Sequence, residues 1–378
     1  MQDKEFDLLV FIGRMRPFHK GHQHVIDTAL ERAHNVLILL GSSNRPCEAM
    51  PNLCFNSDEV SDMIRSVYPF GSDAGGRLSI SEIDDWLHDN DFTWLSSVHQ
   101  LVQAEVHRIQ GWSGSQDPLR IGLVGYSKDG TSYYLKKFPQ WGSIDVGPYK
   151  QNGKILNATS IRNALYDATT AGLVSDLTAA AFTNVLPKPV AEWVAEWCAA
   201  PANQERLKYL AEAVEFSTDY KKRHKFVGPN ARYDATHSTT DAVLIQSGHV
   251  LMIKRKFNPG KGLWALPGGF VEATEQIREG VTRELRQETK IKLGLGVLNL
   301  AFRFKVVFSD PNRGDARGRI ITHAYLYQLN DRSELPAVEA ADDADHAEWV
   351  PLGLLDPSQT YADHYWIIQK MINMIPVD

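Results

Sequence analysis

The sequence runs to 378 residues, 43% of them hydrophobic and 23% charged, with a net charge of −6. That length suggests two domains, with apolar material enough for two cores, and that charge excludes a general attraction to nucleic acid or membrane surfaces. Three cysteines, Cys47, Cys54 and Cys198, give neither a disulfide framework nor a CxxC metal pair, which fits a reducing compartment. No apolar run reaches the roughly 18 residues that a membrane helix needs. The acidic start MQDKEFDLLVFIG does not read as a signal peptide, so a cytoplasmic location is expected. The residues leave a homo-oligomer open.

In chain order, FDLLVFIG (6–13) reads as a buried strand and HQHVIDTALERA (22–33) has helical spacing. NVLILLGSS (35–43) and RIGLVGY (120–126) are further strands. This alternation predicts an α/β domain: a parallel sheet with helices on both faces. NATSIRNALYDAT (157–169) reads as a helix capped by Asn157 or Thr159. LPKPVAEW (186–193) carries two prolines and marks a boundary. Residues 190–222 read as helical and end in KKRHK (221–225), a solvated helix end rather than a nucleic-acid contact, because aromatic residues are not interleaved. From about 236 the texture is β-rich. TTDAVLIQSGHVLMIKR (239–255) reads as a hairpin turning at Ser247-Gly248. A strong helix (274–290), an alternating strand IITHAYLYQL (320–329) and a closing helix HYWIIQKMINMI (364–375) follow. The expected organisation is a first domain over 1–185, a helical linker over 186–235 and a second domain over 236–378.

GRMRPFHKGH (13–22) directly follows the first strand and opens the first helix. Gly13 and Gly21 let backbone approach a ligand closely. Free N–H groups at a helix start attract phosphate. His19 and His22, three apart, can donate to one anion, and Arg14 and Arg16 add fixed positive charge. The plain alternative is a turn whose histidines only cap a helix, and a second is zinc on His19, His22 and His24. Phosphate is preferred because arginines crowd the site and no acidic or thiolate ligand is near. Thr159 and Arg162 in NATSIR (157–162) stand at another helix start and form a second phosphate clamp.

Together, HxGH after the first strand and TxxR late in the domain resemble the nucleotidylyltransferase superfamily, whose domains are Rossmann-like. GYSKDGTSYYLKKFPQW (125–141) is similar to the adenosine-holding segment of bacterial and archaeal nicotinamide-mononucleotide adenylyltransferases. MPNLCFNSDEVSDMI (50–64) and IDDWLHDNDFTW (83–94) resemble two segments that line their nicotinamide side. The resemblance implies Gly125, Lys128 and Asp129 on the adenosine side, and Asn52, Asp84, Trp86 and Trp94 on the other. Core packing is the alternative for the tryptophans. Asn157 stands where the family usually has Ser, and Leu53-Cys54 where it favours a proline and an aromatic. The implied reaction is in-line attack of the mononucleotide 5′-phosphate on the α-phosphorus of ATP, giving NAD and pyrophosphate. The resemblance implies His19 and His22 on the α- and β-phosphates, Arg162 on the leaving end, and Mg²⁺ carried by ATP.

In LWALPGGFVEATEQIREGVTRELRQETKI (263–291), Gly269 is followed six residues later by Glu275, and eight further on by Arg283-Glu284, then Glu288. Glu284 and Glu288, four apart, share one helix face. This run resembles the Nudix box, which implies an α/β/α Nudix domain with a mixed sheet. It implies Glu275 and Arg283 as structural, with Glu279–Arg283 spaced for a further ion pair. Glu284 and Glu288 would bind Mg²⁺ or Mn²⁺, with Glu272 and Asp343 completing the set. Gln287 replaces a metal-binding Glu, which implies fewer or looser metals, and Lys290 replaces a Gly. FSDPNRGDARGRIITHAY (308–325), the DDA-x-x-A-x-W pattern (Asp342–Trp349) and DHYWIIQ (363–369) are similar to the hydrolase half of bifunctional enzymes carrying the same adenylyltransferase. That half cleaves ADP-ribose to AMP and ribose 5-phosphate. Arg313, Arg317 and Arg319 are candidates for gripping its phosphates or ribose, against a basic solvated loop. Two other expectations stand beside this one: a module that binds ADP-ribose or NAD without hydrolysing it, and a hydrolase of another diphosphate such as NADH.

Overall fold

The computed structural model describes residues 4–42, 51–84, 91–114, 116–126, 135, 137–151, 153–224, 236–310 and 318–376. The chain divides into two compact units, Met1–Ser43 with Asn52–Lys208 and Asn44–Pro51 with Tyr209–Asp378. Among the described residues no helix is long and apolar enough to cross a membrane.

In the first unit the elements run β1 (Phe6–Gly13), α1 (Lys20–Arg32), β2 (Ala33–Ser42), α2 (Ser57–Val67), α3 (Asp73–Gly76), β3 (Leu78–Asp84), α4 (Asp91–Ser113), β4 (Ile121–Gly125) and β5 (Gly142–Asp145). A small hairpin, β6 (Lys150–Gln151) and β7 (Lys154–Ile155), precedes α5 (Ala158–Thr170), α6 (Lys188–Ala199) and the start of α7 (Pro201–His224), whose residues from Tyr209 onward belong to the second unit. The five-stranded sheet has the order β3-β2-β1-β4-β5, parallel throughout. β1 is apolar on both faces because both are covered. Leu8, Val10 and Ile12 pack with Val98, Val102 and Val106 of α4, while Leu9 and Phe11 are buried on the other face. The strand order reverses between β1 and β4, so a crevice opens beyond Gly13 and Gly125, where such sheets bind ligands. The helical stretch expected over 190–222 is two helices, parted at Ala200, whose extended backbone precedes Pro201.

The second unit runs β8 (Thr236–Gln246), β9 (His249–Arg255), β10 (Trp264–Ala265), β11 (Gly268–Phe270), α8 (Ile277–Thr289), α9 (Leu295–Ala301), β12 (Phe302–Phe308), β13 (Arg319–Gln328), β14 (Ala344–Pro351) and α10 (His364–Asn373). β8 and β13 pair in parallel and their other neighbours antiparallel, making one mixed sheet of seven strands. The hairpin turns at Ser247 (φ 47°) and Gly248 (φ 74°), both left-handed, as a two-residue turn between strands demands. Alternation along β8 builds two cores. Ala242 and Leu244 meet Val281 and Leu285 of α8, whereas Val243 and Ile245 meet Ile367, Ile368 and Met371 of α10. The sheet is thus sandwiched between α8 and α10.

Helix α8 ends on Lys290, which holds φ 50° and ψ 18°. That left-handed conformation costs a residue with a Cβ about 1 kcal/mol or more. Lys290→Gly should therefore raise stability by about 1 kcal/mol, read from the urea midpoint. A lower midpoint would mean that the lysine side chain offsets the strain.

Candidate functional site

The first unit's site is built on the turn between β1 and α1. His19 is the N-cap of α1: its Nδ1 accepts from Gly21 N at 3.1 Å, and its own N–H donates to His22 Nδ1 at 3.3 Å. The two rings stack with centroids 3.7 Å apart. Gly21 is required here, since a Cβ on it would lie 2.9 Å from His19 Cε1. Asn157 caps α5 by accepting from Ser160 N at 2.9 Å, which leaves Thr159 exposed on the first turn. Arg162, on that turn's side of α5, donates NH1 to the Arg16 carbonyl at 2.5 Å and NH2 to Thr159 Oγ1 at 3.2 Å. The two phosphate motifs, far apart in sequence, therefore meet.

Burial, and then the neighbouring His19, hold His22 well below the usual histidine range near 6.5. The folded chain takes up a proton there less readily than the unfolded chain. Above about pH 6.5 both forms are neutral and His22 contributes no pH dependence; below it the unfolded chain protonates first and stability falls. His22→Gln should flatten this acid loss in urea melts between about pH 5 and 7.5. An equal fall in the variant would put the loss elsewhere.

The other residues proposed for this site are placed as follows. Arg14 is half-buried and Gly13 ends β1. Arg16 is buried, with NH2 donating to the Gly41 carbonyl at 3.1 Å and to Ser57 Oγ at 3.3 Å, so much of its charge is spent inside the protein. Asn52 is exposed, Asp84 closes β3, and Gly125 closes β4 and accepts from Val146 N at 2.8 Å. Trp94 packs against the sheet core, 6.2 Å from Phe138, as a core tryptophan would. His24 is exposed and lies 6.0 Å from the Tyr149 ring. Trp86, Lys128 and Asp129 lie outside the described residues.

The second site is a cavity of about 550 Å³ lined by the glycine turn (Gly268, Gly269, Phe270) and by Arg283, Glu284 and Glu288 of α8. Arg283 organises it. Its Nε and NH2 grip the two oxygens of Glu275 at 3.0 and 2.6 Å, and NH2 also reaches the Phe270 carbonyl at 3.1 Å. Its NH1 donates to Glu284 Oε1 at 2.8 Å and Gln287 Oε1 at 3.0 Å. Glu279, expected from spacing to pair with Arg283, instead accepts from Gln276 N at 2.9 Å and caps α8. Glu288 is buried, and Gly268 N donates to its Oε2 at 2.9 Å. A Cβ on Gly269 would lie 2.4 Å from Glu284 Oε1 and would displace that carboxylate.

Burial pushes the Glu288 carboxyl well above the usual carboxylate range, and the charges of Glu284 and Asp343 add to that rise. Burial raises Glu284 too, with Asp342 and Glu275 adding, while Arg283 opposes. Two carboxylates destabilised as anions gain most from a cation beside them. With Glu272 and Asp343 on the same cavity they form an oxygen set suited to a hard divalent ion. Among the described residues no three His, Cys, Asp or Glu side chains are already gathered around one ion-sized point. The residues fit such an ion in kind, and Arg283 currently takes part of the charge it would meet. Gln287 lies on the exposed edge of α8, not on the cavity.

Arg319 donates NH2 to the Ser309 carbonyl at 3.4 Å and does not line the cavity, whereas its neighbour Ile320 does. Arg313 and Arg317 lie outside the described residues. Cavity residues that the sequence reading passed over include Asp241, Arg255, Asn258, Asp363 and His364. Asp241 accepts from Thr322 Oγ1, which in turn accepts from Thr239 Oγ1 at 2.7 Å. His364 Nδ1 accepts from Leu266 N at 2.8 Å, tying α10 to the strand ahead of the glycine turn. Only the DHYWIIQ motif signalled this region.

The model of the NUDIX domain family matches residues 235–371. Nicotinamide/nicotinic acid mononucleotide adenylyltransferase of Acinetobacter baylyi is 35% identical over 163 residues, 43% of this chain and 77% of that protein. ADP-ribose pyrophosphatase of Methanocaldococcus jannaschii is 38% identical over 133 residues, 34% of this chain and 69% of that protein. A crystal structure of a bifunctional NMN adenylyltransferase/ADP ribose pyrophosphatase from Francisella tularensis superposes with a TM-score of 0.79 at 30% identity, covering 98% of this chain and 99% of that one. A second, complexed with AMP and a Mn ion, gives a TM-score of 0.78 at 28% identity, covering 97% and 99%. The two halves match in order and over nearly their full length, and the chain belongs to the family of bifunctional NMN adenylyltransferase/ADP-ribose pyrophosphatases.

Proposed function

We propose that this chain carries both activities of its family: adenylyl transfer from ATP to nicotinamide mononucleotide, giving NAD and pyrophosphate, and hydrolysis of ADP-ribose to AMP and ribose 5-phosphate. The observation that carries the first is the Arg162–Arg16 hydrogen bond, which brings the TxxR clamp onto the HxGH turn at the end of β1. There the histidine pair, Arg162 and the start of α1 form a positive cradle for a triphosphate. No covalent intermediate is needed; the unit aligns the attacking phosphate and neutralises the leaving pyrophosphate.

For the second activity, Glu284 and Glu288 would hold a divalent ion, Mg²⁺ or Mn²⁺, with Glu272 and Asp343 at the cavity edge. Such an ion, when bound, polarises a diphosphate and makes water a stronger nucleophile. The Gly268 N–H fixes Glu288 in place, and Arg283 fixes the turn through Glu275 and the Phe270 carbonyl. The buried free thiols of Cys54 and Cys198 and the nature of the substrates support a cytoplasmic location.

The test uses the full chain. With nicotinamide mononucleotide, ATP and Mg²⁺, NAD and pyrophosphate should appear in equal amounts. With ADP-ribose and Mg²⁺ or Mn²⁺, AMP should appear. Absence of NAD removes the first assignment. ADP-ribose that binds but yields no AMP would make the second unit a sensing module, and cleavage of NADH in preference to ADP-ribose would reassign its substrate.

A further inference from the structure

The cavity beside α8 has an electrostatic problem. Six carboxylates line it against two guanidiniums, yet its substrate is a dianionic diphosphate. Divalent ions on Glu284 and Glu288 answer part of this. A resident cation must answer the rest, and Arg283 is poorly placed to do so. All three of its nitrogens already donate, to Glu275, Glu284, Gln287 and the Phe270 carbonyl.

Arg255 differs. It is the last residue of β9, and the segment after it folds back, with Gly262 N donating to the Arg255 carbonyl at 2.8 Å and Arg255 N to the Leu263 carbonyl at 3.0 Å. Its Nε donates to the Pro259 carbonyl at 2.8 Å, and its guanidinium carbon lies 4.3 Å from the centre of the buried Tyr361 ring. Gly260 (φ 82°) lets the backbone lie against that ring, where a Cβ would come within 2.2 Å. One edge and one face of the guanidinium are thus fixed. Among the described residues its two terminal nitrogens make no hydrogen bond to protein. The charge is felt at Glu288, so the group stands near the carboxylates that would hold the ion.

We propose that Arg255 binds the diphosphate of the nucleoside diphosphate substrate, its two terminal nitrogens forming a fork on non-bridging phosphate oxygens beside Glu284 and Glu288. This rests on the hydrolase reading of the second unit. A planar fork held by stacking and one hydrogen bond is already ordered for a phosphate, so little rotamer entropy is lost on binding.

The experiment measures AMP release by the full chain, Arg255→Ala and Arg255→Lys. NAD formation by the same samples reports that the rest of the chain is intact. A charge-assisted fork corresponds to about a 10- to 100-fold effect. KM for ADP-ribose should rise by about that factor in Arg255→Ala, and by less in Arg255→Lys, which keeps charge but not the fork. KM within twofold of the unaltered chain in both variants overturns the proposal, even if kcat and melting temperature fall, because Arg255 would then only brace the segment that folds back after β9. If Arg255→Ala does not fold, the KM of Arg255→Lys decides alone. Should the unaltered chain release no AMP, calorimetric titration with ADP-ribose separates the two readings. Binding lost in the variants upholds the Arg255 contact while the hydrolase reading fails; binding that is absent, or indifferent to Arg255, ends both.

Discussion

Glu288→Gln should lower AMP release from ADP-ribose by about 10³-fold, since a divalent ion supplies several kcal/mol of charge stabilisation and each 1.4 kcal/mol is a factor of ten. NAD formation by the same chain should be unchanged. The variant also has a stability signature. Because burial raises the Glu288 carboxyl well above its usual range, the folded chain holds that proton more tightly than the unfolded chain. Its stabilising contribution is present at acid pH and is lost as pH rises and the buried carboxyl ionises. Glutamine keeps the acceptor for Gly268 N and never ionises, so without metal the variant should melt higher than the unaltered chain at neutral pH. Added Mg²⁺ should raise the unaltered chain's melting temperature and move the variant's little, because only the former gains a ligand on folding. Calorimetry with and without Mg²⁺, beside the AMP assay, reads all three effects. Unimpaired AMP release would remove Glu288 from the site.

Arg162→Ala should lower kcat for NAD formation by about 10²- to 10³-fold, the effect of deleting one preorganised donor, with AMP release unaffected. Two losses combine. The positive charge on the leaving pyrophosphate goes, and so does the hydrogen bond to the Arg16 carbonyl that fixes the HxGH turn against α5. Arg162→Lys should recover little, since one ammonium cannot span the Arg16 carbonyl and Thr159 Oγ1 as the guanidinium does. NAD formation within a few-fold of normal in the alanine variant would leave Arg162 as packing alone.

Much of this was legible in the sequence because it is local. The apolar run 6–13, the alternation along 239–255 and the carboxylates spaced over 275–288 are set by the periods of strand and helix, and the corresponding elements stand where those periods put them. Arrangements decided by tertiary packing were not legible. Spacing suggested Glu279 as a further partner of Arg283; that arginine pairs with Glu275, as the resemblance implied, while Glu279 caps the helix instead. Arg255 sits in IKRKFNPGK, which reads as an ordinary basic stretch until Tyr361, far along the chain, comes to lie under its guanidinium. The capping ambiguity of α5 was likewise settled by geometry: Asn157 is extended and Thr159 is already helical.

The hydrogen bonds at the start of α1 decide which kind of ion the histidine pair can serve. A backbone N–H can only donate, so Nδ1 of His19 and Nδ1 of His22, each accepting one, both present lone pairs to the main chain. In the neutral rings the remaining proton must then sit on Nε2 in both. The backbone has fixed the tautomers: both Nδ1 lone pairs are spent on the main chain, and each neutral ring carries its proton on Nε2. A ring in that form meets a phosphate oxygen by donating. A transition-metal ion would need an Nε2 lone pair and could have it only by moving the proton to Nδ1 and breaking the cap that starts the helix. The choice of anion over cation is therefore made by peptide groups before any substrate arrives.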